Sequence, residues 1–174
     1  LNEYFNKLYK TKDDYIIASD TDSVYINMAP LVKMTGATDK NKIVKALDKF
    51  CSERLEPYIT KCYDELGNYM NVYENKMVMK REAIADKGIW TAKKRYILNV
   101  HNSEGVQYPE PKLKIMGIEA VKTSTPLPCR DKLKEAFKVI MGGDQKEMKE
   151  FIVNFRRDFE LLPPEDIAFP RSVN

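Results

Sequence analysis

Histidine occurs once in this chain, tryptophan once and cysteine three times. With His101 alone, any chemistry built on a histidine pair is excluded, and its neighbours Asn102, Ser103, Glu104 and Gly105 suggest a hairpin loop. Cys51, Cys62 and Cys129 are odd in number, widely spaced and lack metal-ligand spacing, so they read as reduced core thiols, the first two on an apolar helical stripe. No apolar run approaches a membrane span, and the N-terminus lacks the charged-then-apolar layout of a secretory signal. The default compartment is the cytoplasm. There is no internal repeat and no low-complexity tract.

What is present suits a globular chain: 174 residues, 43% apolar and 32% charged, enough to bury one core of ordinary size. The pattern predicts an α+β fold. A helix is expected over residues 1–9, from Leu1, Phe5, Leu8 and Tyr9 at helical spacing. Two short apolar runs at 15–18 and 24–26 predict a hairpin. A three-or-four step from Ile43 to Met70 predicts one long packing helix or two in line, and Pro57 inside it predicts a kink near Glu56. Strands are expected over 76–85 and 90–100, with Asp86, Lys87 and Gly88 as the turn between them, and Gly105 closes another hairpin.

Downstream, Thr125 before Pro126 predicts an N-cap, with Leu133, Ala136, Phe137, Ile140 and Met141 facing inward until Gly142 and Gly143 end the helix. Asp144 with Glu147 has the pattern of a capping box, opening a second helix with Met148, Phe151, Ile152, Phe155 and Phe159 inward. Pro163 and Pro164 stop it, and residues 165–174 show no periodicity.

The most informative segment is YIIASDTDSVYI, residues 15–26, which holds Asp20 and Asp22 in a tight turn between two strand-like runs. Like charges this close repel unless a cation or a shared proton intervenes, and Mg²⁺ is the natural neutraliser because it binds oxygen through one or two carboxylates plus substrate phosphates. The same pair also fits a turn rich in aspartate.

A local charge excess accompanies it. From Lys87 to Lys122 there are six lysines and one arginine against Glu104, Glu110 and Glu119, a net of +4. If 90–100 is one strand, Lys94 and Tyr96 share one face and Lys93 and Arg95 the other. Cations beside an aromatic suit a sugar–phosphate backbone, and equally a solvated edge strand that resists aggregation.

The whole string YIIASDTDSVYI resembles motif C of the family B DNA polymerases, and MKREAIA (79–85), WTAKKRYILNV (90–100) and PKLKIMGIEAVKTSTP (111–126) follow in the order found in replicative enzymes of large tailed bacteriophages. The resemblance covers nearly the whole chain, with residues 1–9 similar to the end of the helix preceding motif C. It implies a small antiparallel palm sheet over 1–124 and the incomplete start of a thumb, with two helices, over 125–174. It implies nucleotidyl transfer from a dNTP to a primer 3′-hydroxyl, clamped by two Mg²⁺ ions. By that resemblance Asp22 is the firmer metal ligand and Asp20 the second, which shapes the site, Thr21 and Ser23 hold the turn, and Glu82 matches an auxiliary acidic residue near the metal site. Lys94 and Tyr96 are the expected primer contacts, with Lys93 and Arg95 behind them. Lys112, Lys114 and Lys122 extend the basic surface towards the thumb, and Gly117 allows the chain to approach DNA.

Three parts of the family pattern have no match: motif A with its metal-binding Asp, motif B with the lysine that meets the triphosphate, and the proofreading exonuclease. The chain is therefore expected to be inactive alone and to need the remaining polymerase segments, or a subunit carrying motifs A and B, besides primer-template DNA and dNTP. The stretch between Ala85 and Trp90 also looks shorter than in phage relatives with a glycine-rich insertion there. A naturally split subunit, a truncated gene and a piece of a longer enzyme all fit, and a first residue other than Met points to truncation. A non-catalytic nucleic-acid-binding module is the alternative. A metal-dependent nuclease would draw on further clustered carboxylates or a histidine.

Overall fold

The computed structural model describes residues 1–169. The fold is α+β, with a two-stranded hairpin, a three-stranded sheet and several helices. The chain forms two compact units, the first from Leu1–Ile84 and His101–Pro109, the second from Ala85–Val100 and the chain from Glu110 onward.

The first unit opens with helix α1 (Asn2–Tyr9), followed by β1 (Ile16–Asp20) and β2 (Ser23–Ile26), an antiparallel pair. Helix α2 (Ala29–Thr35) comes next, ended by Gly36 in the left-handed region. The sequence reading missed it, because seven residues are too few to establish a period. Then α3 (Lys40–Phe50), a π-helical turn (Cys51–Leu55) and α4 (Glu56–Tyr69) run in line. Asp39 caps α3 by accepting from the backbone of Asn41 and Lys42.

The expected irregularity near Glu56 takes this π-helical form. Pro57 has no N–H, and its ring would crowd the carbonyl four residues back. The chain widens by one residue instead, and the Glu56 N–H bonds to the Cys51 carbonyl. A core of Phe5, Tyr15, Cys51, Leu55 and Ile59 lies where α1 and the root of β1 pack on this helix, and a second cluster gathers Val44, Leu47 and Ile84.

All three cysteines are free, but only Cys51 is a core thiol; Cys62 is exposed, against expectation, and Cys129 is half-buried. The apolar stripe turns past Cys62 because the widened turn shifts the phase of α4. Burial pushes the Cys51 thiol up to about 11. At pH 8 its thiolate is scarce, whereas Cys62 meets solvent. Iodoacetamide is expected to modify Cys62 within minutes and Cys51 only on unfolding, as peptide mass mapping will show; equal labelling rates would contradict this burial.

The three-stranded sheet has the order β3-β4-β5, with β3 Ala83–Ala92, β4 Arg95–Ser103 and β5 Val106–Met116. Its first hairpin differs from the sequence reading. Residues 76–82 form no strand, and Asp86, Lys87 and Gly88 lie inside β3 rather than in a turn. Gly88 is there for close packing: a Cβ would stand 2.7 Å from the Trp90 ring and 2.8 Å from Leu98. Asp86 accepts from Asn99 across the pair at 2.7 Å. The turn falls instead at Lys93 and Lys94, the latter at φ 61°. His101 is buried within β4, not in a loop; the loop is the following turn, with Glu104 and Gly105 both at positive φ.

In the second unit the core comprises Ile97, Ile118, Ala120, Phe137 and Met141, with Leu113 and Ile115 from alternate positions of β5 against it. A 3₁₀ turn (Glu119–Val121) leads to α5 (Leu127–Gly142) and α6 (Gln145–Glu160). Pro126, not Thr125, is the N-cap of α5, one residue later than expected, with Pro128 in the first turn. Gly142 and Gly143 end that helix, and the Asp144–Glu147 capping box opens α6 as expected. Ile140 and Ile152 are exposed rather than inward, and α6 has no fully buried residue. Lys87 donates to the Met141 carbonyl near the end of α5, where a cation complements the helix terminus. After Pro163 the chain forms one more short helix, α7 (Pro164–Ile167), where no periodicity was legible; the last part of the expected aperiodic tail lies outside the described residues.

Candidate functional site

The acidic turn is as tight as its sequence demands. β1 and β2 pair Ala18 with Tyr25, Ser19 with Val24 and Asp20 with Ser23, leaving Thr21 and Asp22 as the two-residue tip. A bulge between Ile16 and Ala18 leaves Ile17 turned to solvent. The root is fixed from below: Tyr15 is buried, its N–H donates to Asn2 Oδ1 at 2.9 Å and its hydroxyl lies 2.6 Å from that of Thr11.

At the tip Thr21 adopts φ 29°, and its hydroxyl donates to Asp20 Oδ1 at 3.1 Å. The Ser23 hydroxyl donates to the Asp20 carbonyl at 3.3 Å. Both residues stabilise the turn. Asp20 is half-buried, while Asp22 is exposed. The arrangement presents one outward carboxylate and one held by its own turn.

Glu82 is not brought together with this pair: among the described residues no group of three or more His, Cys, Asp or Glu side chains could hold a metal ion. Glu82 is exposed just before β3, where its carbonyl accepts from the Glu104 N–H at 2.7 Å. The Arg81 guanidinium binds Asp48 and that same Glu82 carbonyl. The Arg81 N–H donates to Glu56 Oε1 at 3.0 Å, which ties this segment to α4.

The basic block sits differently from a continuous strand. Lys93 and Lys94 form the exposed tip of the β3–β4 hairpin, and Arg95 and Tyr96 begin β4. Lys94 and Tyr96 therefore do not share a strand face, because Lys94 is part of the turn. Tyr96 lies 6.3 Å, centroid to centroid, from Trp90. Arg95 is bound to Glu119 at 2.5 Å, and Lys122 reaches the same carboxylate at 3.1 Å. The backbone hydrogen bond of Glu119 and the Lys122 ammonium hold its carboxyl below the ordinary range. Nothing local in the sequence pairs Arg95 with a residue 24 positions on. Lys112 and Lys114 occupy the positions of β5 that alternate with the core residues Leu113 and Ile115.

Gly117 has a role in this unit that its sequence context did not show. At φ 65° it approaches the hairpin tip so closely that a Cβ would stand 2.2 Å from the Lys94 carbonyl oxygen. The close approach is to the protein's own turn. Gly117→Ala combines left-handed strain with a backbone clash and is expected to cost about 2–3 kcal/mol, read as a lower urea midpoint; an unchanged midpoint would refute the contact.

The chain is similar in sequence to two known proteins. The chain is 37% identical over 186 residues to the DNA-directed DNA polymerase of Enterobacteria phage T4, covering 100% of this chain and 21% of that protein. It is 39% identical over 186 residues to the DNA-directed DNA polymerase of Escherichia phage RB69, again covering 100% of this chain and 21% of the relative. The chain thus spans about one fifth of the length of these relatives. No family model matches it. The resemblance carried by its motifs holds along the whole chain.

Proposed function

We propose that this chain is the motif C portion of the palm, over 1–124, and the start of the thumb, from 125 onward, of a family B phage DNA polymerase. The observation that carries this is the D-T-D-S turn, with its outward Asp22, in a chain similar throughout to phage polymerases. Two carboxylates are a hard-oxygen donor set that suits Mg²⁺, which commonly binds through one or two carboxylates and completes its shell with water and phosphate. Asp22 and Asp20 would hold it, and it would supply Lewis-acid charge to the phosphoryl oxygens. Two carboxylates on one turn do not make a two-metal site, so the remaining ligands come from polypeptide carrying motif A.

The chain's own residues do three things. Asp22 presents negative charge at the tip, Asp20 is restrained by the Thr21 hydroxyl, and the buried Tyr15 holds the hairpin root. Lys93 and Lys94 offer ammonium groups for primer-strand phosphates, where phosphate contacts position DNA without reading its sequence. Lys112 and Lys114 continue that surface along β5. Arg95 and Lys122 share Glu119, which orders them and lowers their net charge.

The test is complementation. The chain alone is expected to show no primer extension with dNTP and Mg²⁺, and extension is expected on adding a polypeptide that carries motifs A and B. If no such partner restores synthesis while DNA binding stays salt-dependent and indifferent to Mg²⁺, the chain is a non-catalytic nucleic-acid-binding module.

A further inference from the structure

The end of α4 and the loop after it expose an unusual density of large apolar side chains. Within residues 66–78, Leu66, Tyr69, Met70, Tyr73, Met77 and Val78 are 47%, 85%, 63%, 105%, 45% and 76% exposed. Leu66, Tyr69 and Met70 are spaced three and four residues apart and so lie on one face of the helix end.

This is not an unstructured loop. The Val72 N–H bonds to the Gly67 carbonyl at 3.0 Å, and Val72 packs so close to Gly67 that a Cβ there would stand 3.2 Å away. Asn75 fastens the returning chain, donating to Asp64 Oδ1 at 2.8 Å and accepting from the Met77 N–H at 3.0 Å. Ordered backbone that displays tyrosine, methionine and valine outward, instead of the charged residues that usually cap a helix end, has the character of an interface core. Ion pairs border the patch, Lys76 with Glu74 at 3.3 Å and Lys61 with Glu65 at 3.7 Å, as a polar rim does.

We infer that this patch is a docking surface for the rest of the polymerase, and that its occupant is an apolar face of the polypeptide that carries the other four fifths of the relatives' length. The inference rests on the reading of the chain as part of a polymerase. The occupant follows from length: this chain aligns end to end with only 21% of each relative, so most of the enzyme that would surround it is other polypeptide. The patch belongs wholly to the first unit, which also carries the Asp20–Asp22 hairpin, so docking there would anchor the unit that needs outside ligands.

The experiment uses the whole chain with Tyr73→Asp and Val78→Asp combined, titrated with the complementary polymerase polypeptide and followed by calorimetry. Association at least 100-fold weaker than wild type is expected, with the unfolding midpoint and DNA affinity of the free variant unchanged. Association within threefold of wild type overturns the docking surface and leaves the polymerase reading standing, since that is judged by whether extension depends on Asp22. A wild-type chain that never binds the complementary polypeptide overturns both. If the free chain is instead a dimer that the substitutions make monomeric, the patch serves a second copy and the inference fails.

Discussion

Asp22→Asn is expected to reduce primer extension by the reconstituted enzyme about 10³-fold, with primer-template binding changed less than twofold. The substitution is nearly isosteric, and the side chain is exposed, so stability is expected to move by no more than about 0.5 kcal/mol. On the proposed function, what is lost is one negative charge where charge would be balanced during phosphoryl transfer. A metal-held electrostatic contribution is worth several kcal/mol, and about 1.4 kcal/mol corresponds to each tenfold in rate, so a loss of roughly 4 kcal/mol gives the stated factor. Asp20→Asn is expected to cost less, because Asp20 is half-buried and engaged by Thr21. Single-turnover extension at saturating Mg²⁺ separates chemistry from binding. Extension by the Asp22 variant within threefold of wild type would remove the hairpin from the catalytic centre.

The second large effect is structural. Phe5→Ala is expected to destabilise the first unit by about 3–5 kcal/mol, the range for deleting a buried aromatic ring. Phe5 is 0% exposed and meets the rings of Tyr4, Tyr9 and Tyr15 at centroid distances of 5.4, 5.8 and 5.9 Å. It packs α1 against both the hairpin root and α4, so no single neighbour can fill the gap. Because whole domains have only about 5–15 kcal/mol of stability, the variant sits near its unfolding threshold at 37 °C. Urea denaturation measures the loss, and less than 1 kcal/mol would mean the cluster relaxes into the space. Weak extension by the reconstituted variant, recovered at 15 °C but not at 37 °C, would show that the hairpin depends on this ring.

Much of this arrangement was legible in the residues, wherever a local cause decides the outcome. The acidic turn follows from two short apolar runs on either side of a polar stretch, the interruption at Pro57 from a missing N–H, and the start of α6 from Asp144 and Glu147. The errors share a different origin. Gly88 looked like turn punctuation, yet it is glycine because Trp90 and Leu98 occupy the space a side chain would need. With the turn moved to Lys93 and Lys94, the expected sharing of faces along the basic block dissolved. Gly117, expected to let the chain approach DNA, also brings its backbone against the Lys94 carbonyl. Arg95, expected behind the primer contacts, is paired with Glu119. The contacts of Gly117 with Lys94 and of Arg95 with Glu119 join residues far apart in sequence, which a local pattern does not contain, and the Gly88 contact with Trp90 depends on a strand pairing that places both in β3.

The widened turn at Cys51–Leu55 also sets the azimuth of everything after it. Leu47, Cys51, Leu55 and Ile59 are buried at a constant step of four residues. A uniform α-helix advances about 400° over four residues, so such a stripe would creep roughly 40° around the cylinder at every step. One surplus residue in the ring at 51–55 winds that creep back. Arg81 grips both flanks of the ring, Asp48 before it and Glu56 after it. Deleting a single residue there would straighten the rod yet swing its far half by about 100°, carrying Ile59 and Tyr63 away from Phe5 and Tyr15. In this protein the tidier helix would be the misthreaded one.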